Sequence, residues 1–399
     1  MSELLSLEEA QKRLLALAVE THSYGESLTH ASLQERYLSH DMIALRTQPA
    51  ADLSAMDGYA VVPGPGPWEL VGESRAGMPF DRALEPGQCT RISTGAHMPR
   101  GSDRVLIQEN ARVDGGTISA AELPEPGRHV RKAGFDFRKG DKILAKGARR
   151  SPANLALAAA AGHHAMPCFA PPRVAVLDSG DELVPVGDPC GPHQIPASNG
   201  LMLGAMLQPL VGTVEQFGPV GDNRDALSKA LKRAEDSHIL VTTGGASVGD
   251  HDLIQQALKD CGARIDFWKV AIKPGKPLMV ATRQTEGGRQ VIVGLPGNPV
   301  SSFVTAFLFV LPLVRAAMGS ADPIPHPMTL RAGEDLPPTG QRRELLRAVH
   351  DGSTVRRASS QDSSALLALA EANCLIDRPV AAGPLKTGEE VAVHLLPNG

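Results

Sequence analysis

The stretch RVAVLDSGDEL, residues 173–183, decides the fold. A β-type run, Arg173–Leu177, stops at a turn of small and acidic residues, and a helical pattern follows from Ser198 to Leu210. A short apolar run bounded by turn residues reads as a strand, and strands that alternate with helices build parallel sheets. The unit repeats downstream. Strand Val214–Phe217 leads to a helix beginning near Asp222, and strand Ile239–Thr242 leads to a helix near His251–Lys259. Further strands fall near Ile265–Val270, Leu278–Ala281 and Val291–Val293, and a last helix starts at Asn298-Pro299, an N-cap followed by proline at the first helical position. The alternation predicts a three-layer α/β domain over residues 171–320, its mostly parallel sheet covered on both faces.

Outward from this domain the texture changes on both sides. Ala170-Pro171-Pro172 stiffens the entry, and residues 321–327, ADPIPHP, stiffen the exit. Residues 321–399 are β-rich, with VAVHL at 391–395 alternating, and predict a small C-terminal β-barrel with one short helix near Ala365–Ala370. On the N-terminal side, Ser6-Leu7-Glu8-Glu9 forms a capping box that opens a helix to about Val19. A second helical pattern runs from about Ser32 to Arg46, and a third from Pro152 to Ala161 with Gly162 as its stop. These three are expected to pack together as a discontinuous helical domain, residues 1–50 and 141–170. Residues 51–140 lie between them as an inserted β-rich domain, with short runs such as Trp68–Val71 and Val105–Gln108 and turn signals at Glu85-Pro86-Gly87, Asp114-Gly115-Gly116 and Glu125-Pro126-Gly127.

Composition narrows the function class. Apolar residues are 42% and charged residues 21% of the 399, the mixture of a soluble globular protein. A net charge of −4 and 4% aromatics supply neither a basic stripe nor a stacking platform, so nucleic acid is not an expected partner. The five cysteines are far apart, without zinc spacing, and read as reduced structural thiols; His163-His164 likewise shows no metal spacing. The start, Met1-Ser2-Glu3, lacks a basic and apolar leader, which makes the cytoplasm the expected location. The apolar run Phe303–Val314 is interrupted by Pro312 and reads as a buried helix, so no membrane association is expected.

Chemistry is expected where three small-residue loops follow strands: Ser179–Leu183, Gly244–Gly249 and Leu295–Pro299. All three fall at the carboxyl edge of the sheet, where open α/β sheets bind ligands. Glycines such as Gly244, Gly245, Gly249 and Gly297 let backbone N–H groups approach an anion, and the helix at Pro299 adds its positive end. In Lys273-Pro274-Gly275-Lys276-Pro277, rigid residues hold two ammonium groups that can face one anion. Asp181, Glu182, Asp222, Asp250 and Asp252 cluster at strand ends and helix starts. Several suit helix caps, above all Asp222 and Asp250; carboxylates beside a phosphate site also suit Mg²⁺, which takes one or two protein oxygens.

Taken together, six segments closely resemble the molybdopterin molybdenumtransferase family, whose animal relative is the E domain of gephyrin. They are SAMDGYAV (54–61), TGAHMPRGSD (94–103), SGDEL (179–183), GGASVGDHD (244–252), FWKVAIKPGKP (267–277) and GLPGNPVS (294–301), within a match running from about Leu7 to Leu396. The resemblance implies the four domains read above. It implies transfer of molybdate into adenylylated molybdopterin with release of AMP, aided by Mg²⁺ or another divalent cation held by Glu182, Asp222 or Asp252. It also implies a homodimer with Asp57, Thr94 and Asp136 acting across the interface. Lys273, Lys276, Ser301, Arg347 and Ser363 look like the family's oxyanion-binding set, and Gly244, Gly245, Ser247, Gly249, Lys269, Gly297 and Asn298 are the further substrate-binding positions. Other cofactor-assembly proteins and apo-molybdoenzymes are implied as partners.

Three departures from the family pattern stand out. Ala197 precedes Ser198-Asn199 where an acidic residue is usual, Phe135 replaces the acid of Gly-Glu-Asp, and Asp362 replaces the glycine of Gln-Gly-Ser. A carboxylate at Asp362 is expected to weaken an anion site by like-charge repulsion. Two alternatives compete. An adenylyltransferase acting on the same pterin would need only the α/β domain, and a scaffold would keep the fold without turnover.

Overall fold

A computed structural model describes residues 4–28, 34–244 and 253–396. Gly245, Ser247, Gly249, Asp250 and Asp252 therefore lie outside the described residues.

Helix α1 (Leu7–Leu15) starts where Ser6 Oγ accepts the Glu9 N–H at 3.1 Å. Only half of the expected capping box forms, because Glu9 turns outward to pair with Arg13 at 2.7 Å. The helix ends four residues before the expected Val19. Its apolar face, with Leu7, Ala10 and Leu14, joins the core of the α/β domain, and the strand before it, Leu4–Leu5, pairs in parallel with Arg264–Val270.

Helix α2 (Pro152–Ala160) packs elsewhere, on Lys142–Leu144 and Ala165–Phe169. The expected bundle of three N-terminal helices is thus corrected. The helix expected over 32–46 is also absent among its described residues. Tyr37 and Leu38 bridge to Arg149 and Cys168, and Met42–Ile43 pairs with Lys142–Leu144. Tertiary ties override the helical pattern here: Arg36 through Ser39 are consecutively buried, and Arg36 donates to the Leu210 carbonyl at 2.8 Å.

The inserted domain is a six-stranded sheet around Tyr59, Val61, Trp68, Cys89, Leu106 and Ile118. Its outermost hairpin joins Ala111–Asp114 to Thr117–Ala120 through Gly115-Gly116, both at positive φ, the backbone a two-residue turn demands.

The α/β domain carries seven strands in the order Leu4–Leu5, Arg264–Val270, Pro277–Thr285, Gly288–Leu295, Ile239–Thr243, Val174–Ser179, Val214–Val220. Four of the six pairings are parallel; the hairpin of 277–285 with 288–295, and its neighbour 264–270, run antiparallel. Alternation along Val174–Ser179 sends Val174 and Val176 to one core and Ala175 and Leu177 to the other. The first core is covered by α1, α3 (Ser198–Val211), and two later helices; the second is covered by α4 (Arg224–Arg233) and α5 (Leu253–Asp260). The later helices, α6 (Pro299–Thr305) and α7 (Leu311–Ala317), join through a π-helical turn, Ala306–Val310, into one span of 19 residues. That span is long and apolar enough to cross a membrane, yet 89% of its apolar window is buried inside the protein, so it is a core helix here.

The C-terminal strands close on themselves: 343–350, 354–357, 328–332, 390–395, 374–378 and back to 343–350. A short helix, α8 (Leu366–Glu371), lies on this barrel, and Ile272–Lys273 adds a strand to it from the α/β domain.

Candidate active site

Strands Val174–Ser179, Ile239–Thr243 and Gly288–Leu295 run side by side in one direction, so the turns that follow them emerge together. They line a cavity of about 710 Å³. Ser179 and Glu182 come from the first turn, Thr243 and Gly244 from the second, and Gly297 and Asn298 from the third. Ile195–Asn199 forms a fourth wall, and Ser364 and Leu366 of the C-terminal domain close the side.

Hydrogen bonds lock these walls together. Asn199 Nδ2 donates to the Gly297 carbonyl at 2.8 Å, and Ser302 Oγ donates to the Pro296 carbonyl. Asn298 occupies the N-cap position of α6 but its side chain leaves the helix uncapped, reaching Ser363 Oγ at 3.2 Å instead. The Ser363 carbonyl in turn accepts the Val300 N–H at 3.2 Å, so Ser363 serves as the missing cap from another domain.

The lysine turn sits beside this cavity, outside its lining. Its strand places Lys273 opposite Glu344 of the barrel, and Lys273 Nζ meets Glu344 Oε1 at 3.0 Å. Gly275, at φ 97°, lets the turn lie against α6: a Cβ there would stand 2.4 Å from Thr305 Cγ2. Both Lys273 and Lys276 are exposed, Lys269 is half-buried on the strand leading to them, and Ser301 is buried one turn into α6.

Arg347 departs from a freely presented anion contact. It is 1% exposed and donates to the carbonyls of Ser360 at 2.8 Å and Asp362 at 2.9 Å, while its buried Nε has no partner. Burial pushes its pKa down, against the opposing pull of Asp362. Arg347 thereby shapes the loop that delivers Ser363 to Asn298. Asp362 turns its carboxylate onto Ser364, accepting the hydroxyl at 2.6 Å and the N–H at 2.9 Å, and these bonds hold its pKa below the usual range. The charge expected to repel an anion is partly satisfied locally.

Among the acidic residues, Glu182 reaches the cavity and is exposed. The Asp222 N–H donates to Asp181 Oδ1 at 2.8 Å, and Asn223, not Asp222, caps α4. No group of three or more His, Cys, Asp or Glu side chains with metal-site geometry exists among the described residues. The exposed carboxylate of Glu182, together with ligand phosphate oxygens, would suit Mg²⁺, a hard cation that keeps most of its shell from water and phosphate.

In the inserted domain, Asp57 Oδ1 accepts both the backbone N–H and the hydroxyl of Thr94, at 2.6 and 3.0 Å. Those bonds lower its pKa. Asp136 is exposed, its N–H given to the Gln48 carbonyl at 3.0 Å. No residue of the inserted domain lines the cavity of its own chain.

One cavity residue escaped sequence reasoning. Asp178, 6% exposed, accepts the Gly200 N–H at 2.9 Å and the Thr243 hydroxyl. Burial pushes its pKa up despite these two bonds. Its signal was an acidic residue at the end of a strand otherwise buried on both faces.

Three family descriptions match the chain in succession: the MoeA N-terminal region (domain I and II) over residues 5–162, a probable molybdopterin binding domain over 175–316, and the MoeA C-terminal region (domain IV) over 329–396. Among curated relatives, the molybdopterin molybdenumtransferase of Haemophilus influenzae is 33% identical across 98% of this chain and 100% of its own. That of Nostoc sp. is 35% identical across 88% and 84%. Among solved structures, a molybdopterin biosynthesis moeA protein from Pyrococcus horikoshii superposes with a TM-score of 0.77 at 26% identity, covering 98% of this chain and 99% of the other. A second structure of that description gives a TM-score of 0.84 at 23% identity, covering 99% and 100%.

Proposed function

From the premise that this chain belongs to the molybdopterin molybdenumtransferase family, we propose that the cavity at the carboxyl edge of its α/β sheet is where molybdate enters adenylylated molybdopterin and AMP leaves. The observation that carries this reading is the convergence of three strand-end turns and a loop of the barrel on one 710 Å³ space, a volume suited to a nucleotide-sized ligand. The protein is an enzyme, a transferase.

Each wall then has a task. Backbone groups at Gly244 and Gly297 can approach the phosphates without a side chain between. Asn298 and Ser363, already bonded to each other, present an amide and a hydroxyl at the rim. Lys273 and Lys276, with Ser301 behind them, supply positive charge and a donor for the molybdate dianion next to the nucleotide. Holding both reactants in contact supplies much of the acceleration, because the encounter's entropy is lost on binding rather than in the reaction. Mg²⁺, held by Glu182 with the region of Asp222 and Asp252, would offset pyrophosphate charge.

Asp57, Thr94 and Asp136 do not line the cavity of their own chain, which supports a homodimer in which they reach the partner's cavity. Five free cysteines, three of them buried, support work in a reducing compartment, the cytoplasm. Apo-molybdoenzymes and other assembly proteins are the fitting recipients of the product.

The decisive assay mixes the purified protein with adenylylated molybdopterin, molybdate and Mg²⁺. Release of AMP together with cofactor that reactivates an apo-molybdoenzyme supports the reading. Tight binding without AMP release would leave a scaffold.

A further inference from the structure

Helix α3 begins at Ser198 without a cap of its own. Its N-cap residue is Ala197, which has no side-chain oxygen, so the first-turn N–H groups must find partners elsewhere. One of them, at Gly200, finds Asp178 Oδ2 at 2.9 Å, on the neighbouring strand. The other oxygen of the same carboxylate takes the Thr243 hydroxyl, from the last residue of the next strand.

The surrounding chain is shaped to this carboxylate. A Cβ on Gly200 would stand 2.3 Å from Asp178 Oδ2, and one on Gly218 would stand 2.4 Å from the Asp178 carbonyl oxygen. The tied segments are also the cavity walls: the turn at Ser179–Glu182, the start of α3 with Asn199, and the turn at Thr243-Gly244. Asn199 carries the tie to the turn at Leu295–Pro299 through the Gly297 carbonyl.

We propose that Asp178 is a positioning residue for the transfer reaction, a helix cap relocated from α3's own N-cap position to the adjacent strand, where one carboxylate holds the cavity walls in register. The proposal rests on the reading of this cavity as the pterin-nucleotide site. Asp178 acts through Gly200 and Thr243, and so through the start of α3 with Asn199 and the turn after Thr243. A carboxylate at position 197 would aim at the same N–H groups, so two carboxylates would crowd one helix end and repel.

That exclusivity makes the test. Asp178→Ser, Ala197→Asp and the double variant are compared by hydrogen exchange at the Asn199 and Gly200 amides, without ligand, and by steady-state kinetics with adenylylated molybdopterin. Each single variant is expected to speed exchange and to raise KM about tenfold, the size of a lost cap, with little change in kcat. The double variant, its carboxylate moved to the N-cap, is expected to recover both. A double variant that exchanges as fast as the worse single variant overturns the clasp, whatever ligand the cavity takes. Slowed exchange in the double variant with KM unmoved in all three overturns its part in the reaction.

Discussion

Asp377 sits between Arg343 and His394, 2% exposed: Arg343 grips both its oxygens, at 2.5 and 2.6 Å, and His394 Nε2 approaches at 3.1 Å. Burial alone would raise its pKa, but the bonds from His394 and Arg343 outweigh burial and hold it low. A depressed carboxylate stabilises the fold above its unfolded value, near 3.9, and that contribution is lost as pH falls through the folded value. Asp377→Asn should therefore flatten the acid limb of a stability-versus-pH curve below about pH 4, and cost about 3–5 kcal/mol at neutral pH by leaving Arg343 half-paired, as urea melts will show. A second residue-scale expectation concerns Lys276, which makes no ion pair among the described residues, while Lys273 pairs with Glu344. Lys276→Ala should raise the KM for molybdate roughly tenfold or more in initial-rate assays, the loss of one charged hydrogen bond. The lysines were legible because rigid neighbours announced them; Glu344 and Asp178 were not, because each gains meaning only from a strand distant in sequence that lies beside it.

At the scale of elements, the close seat of the lysine turn on α6 yields a sharper test. Gly275→Ala adds a methyl 2.4 Å from Thr305 Cγ2 at a φ of 97°, so it should destabilise the protein by about 2–3 kcal/mol and weaken molybdate binding, seen by thermal melting and by equilibrium binding together. Strand-then-turn segments were the most readable part of the chain, since a buried parallel strand leaves an apolar run and a glycine after it. The stretch from Ser32 to Arg46 misled for the opposite reason: its apolar spacing suits a helix, but among its described residues the ties of Arg36 to α3 and of Leu38 to Cys168 hold the backbone out of one. The core helix 299–317 also exceeds its sequence reading, because the π-helical turn just before Pro312 widens the backbone where proline lacks an N–H.

For the whole molecule, the α/β sheet and the C-terminal β-barrel were readable from composition shifts and proline linkers, whereas the attachment of α1 was not. Its apolar stripe says that it is buried, without saying against which domain. Leu14→Ala should cost about 2–5 kcal/mol and expose amides of strand Arg264–Val270 to exchange, although the two are remote in sequence. The separation of Asp57 from the cavity gives a test of assembly. Assayed at molybdate far below the raised KM, Asp57→Asn and Lys276→Ala should each be nearly inactive alone, yet mixing them under conditions of subunit exchange should restore turnover, since one cavity in each mixed pair regains both groups. Mixtures that stay inactive would place the whole site within a single chain.

The pairing of Leu4–Leu5 with Arg264–Val270 also sets a timetable. A ribosome finishes α1 long before it reaches the edge strand that will receive it, an interval of roughly tens of seconds at ordinary elongation speeds. Through that interval Leu7, Ala10 and Leu14 have no native seat, which leaves α1 with an exposed apolar face and makes closure of the sheet a late event in biogenesis.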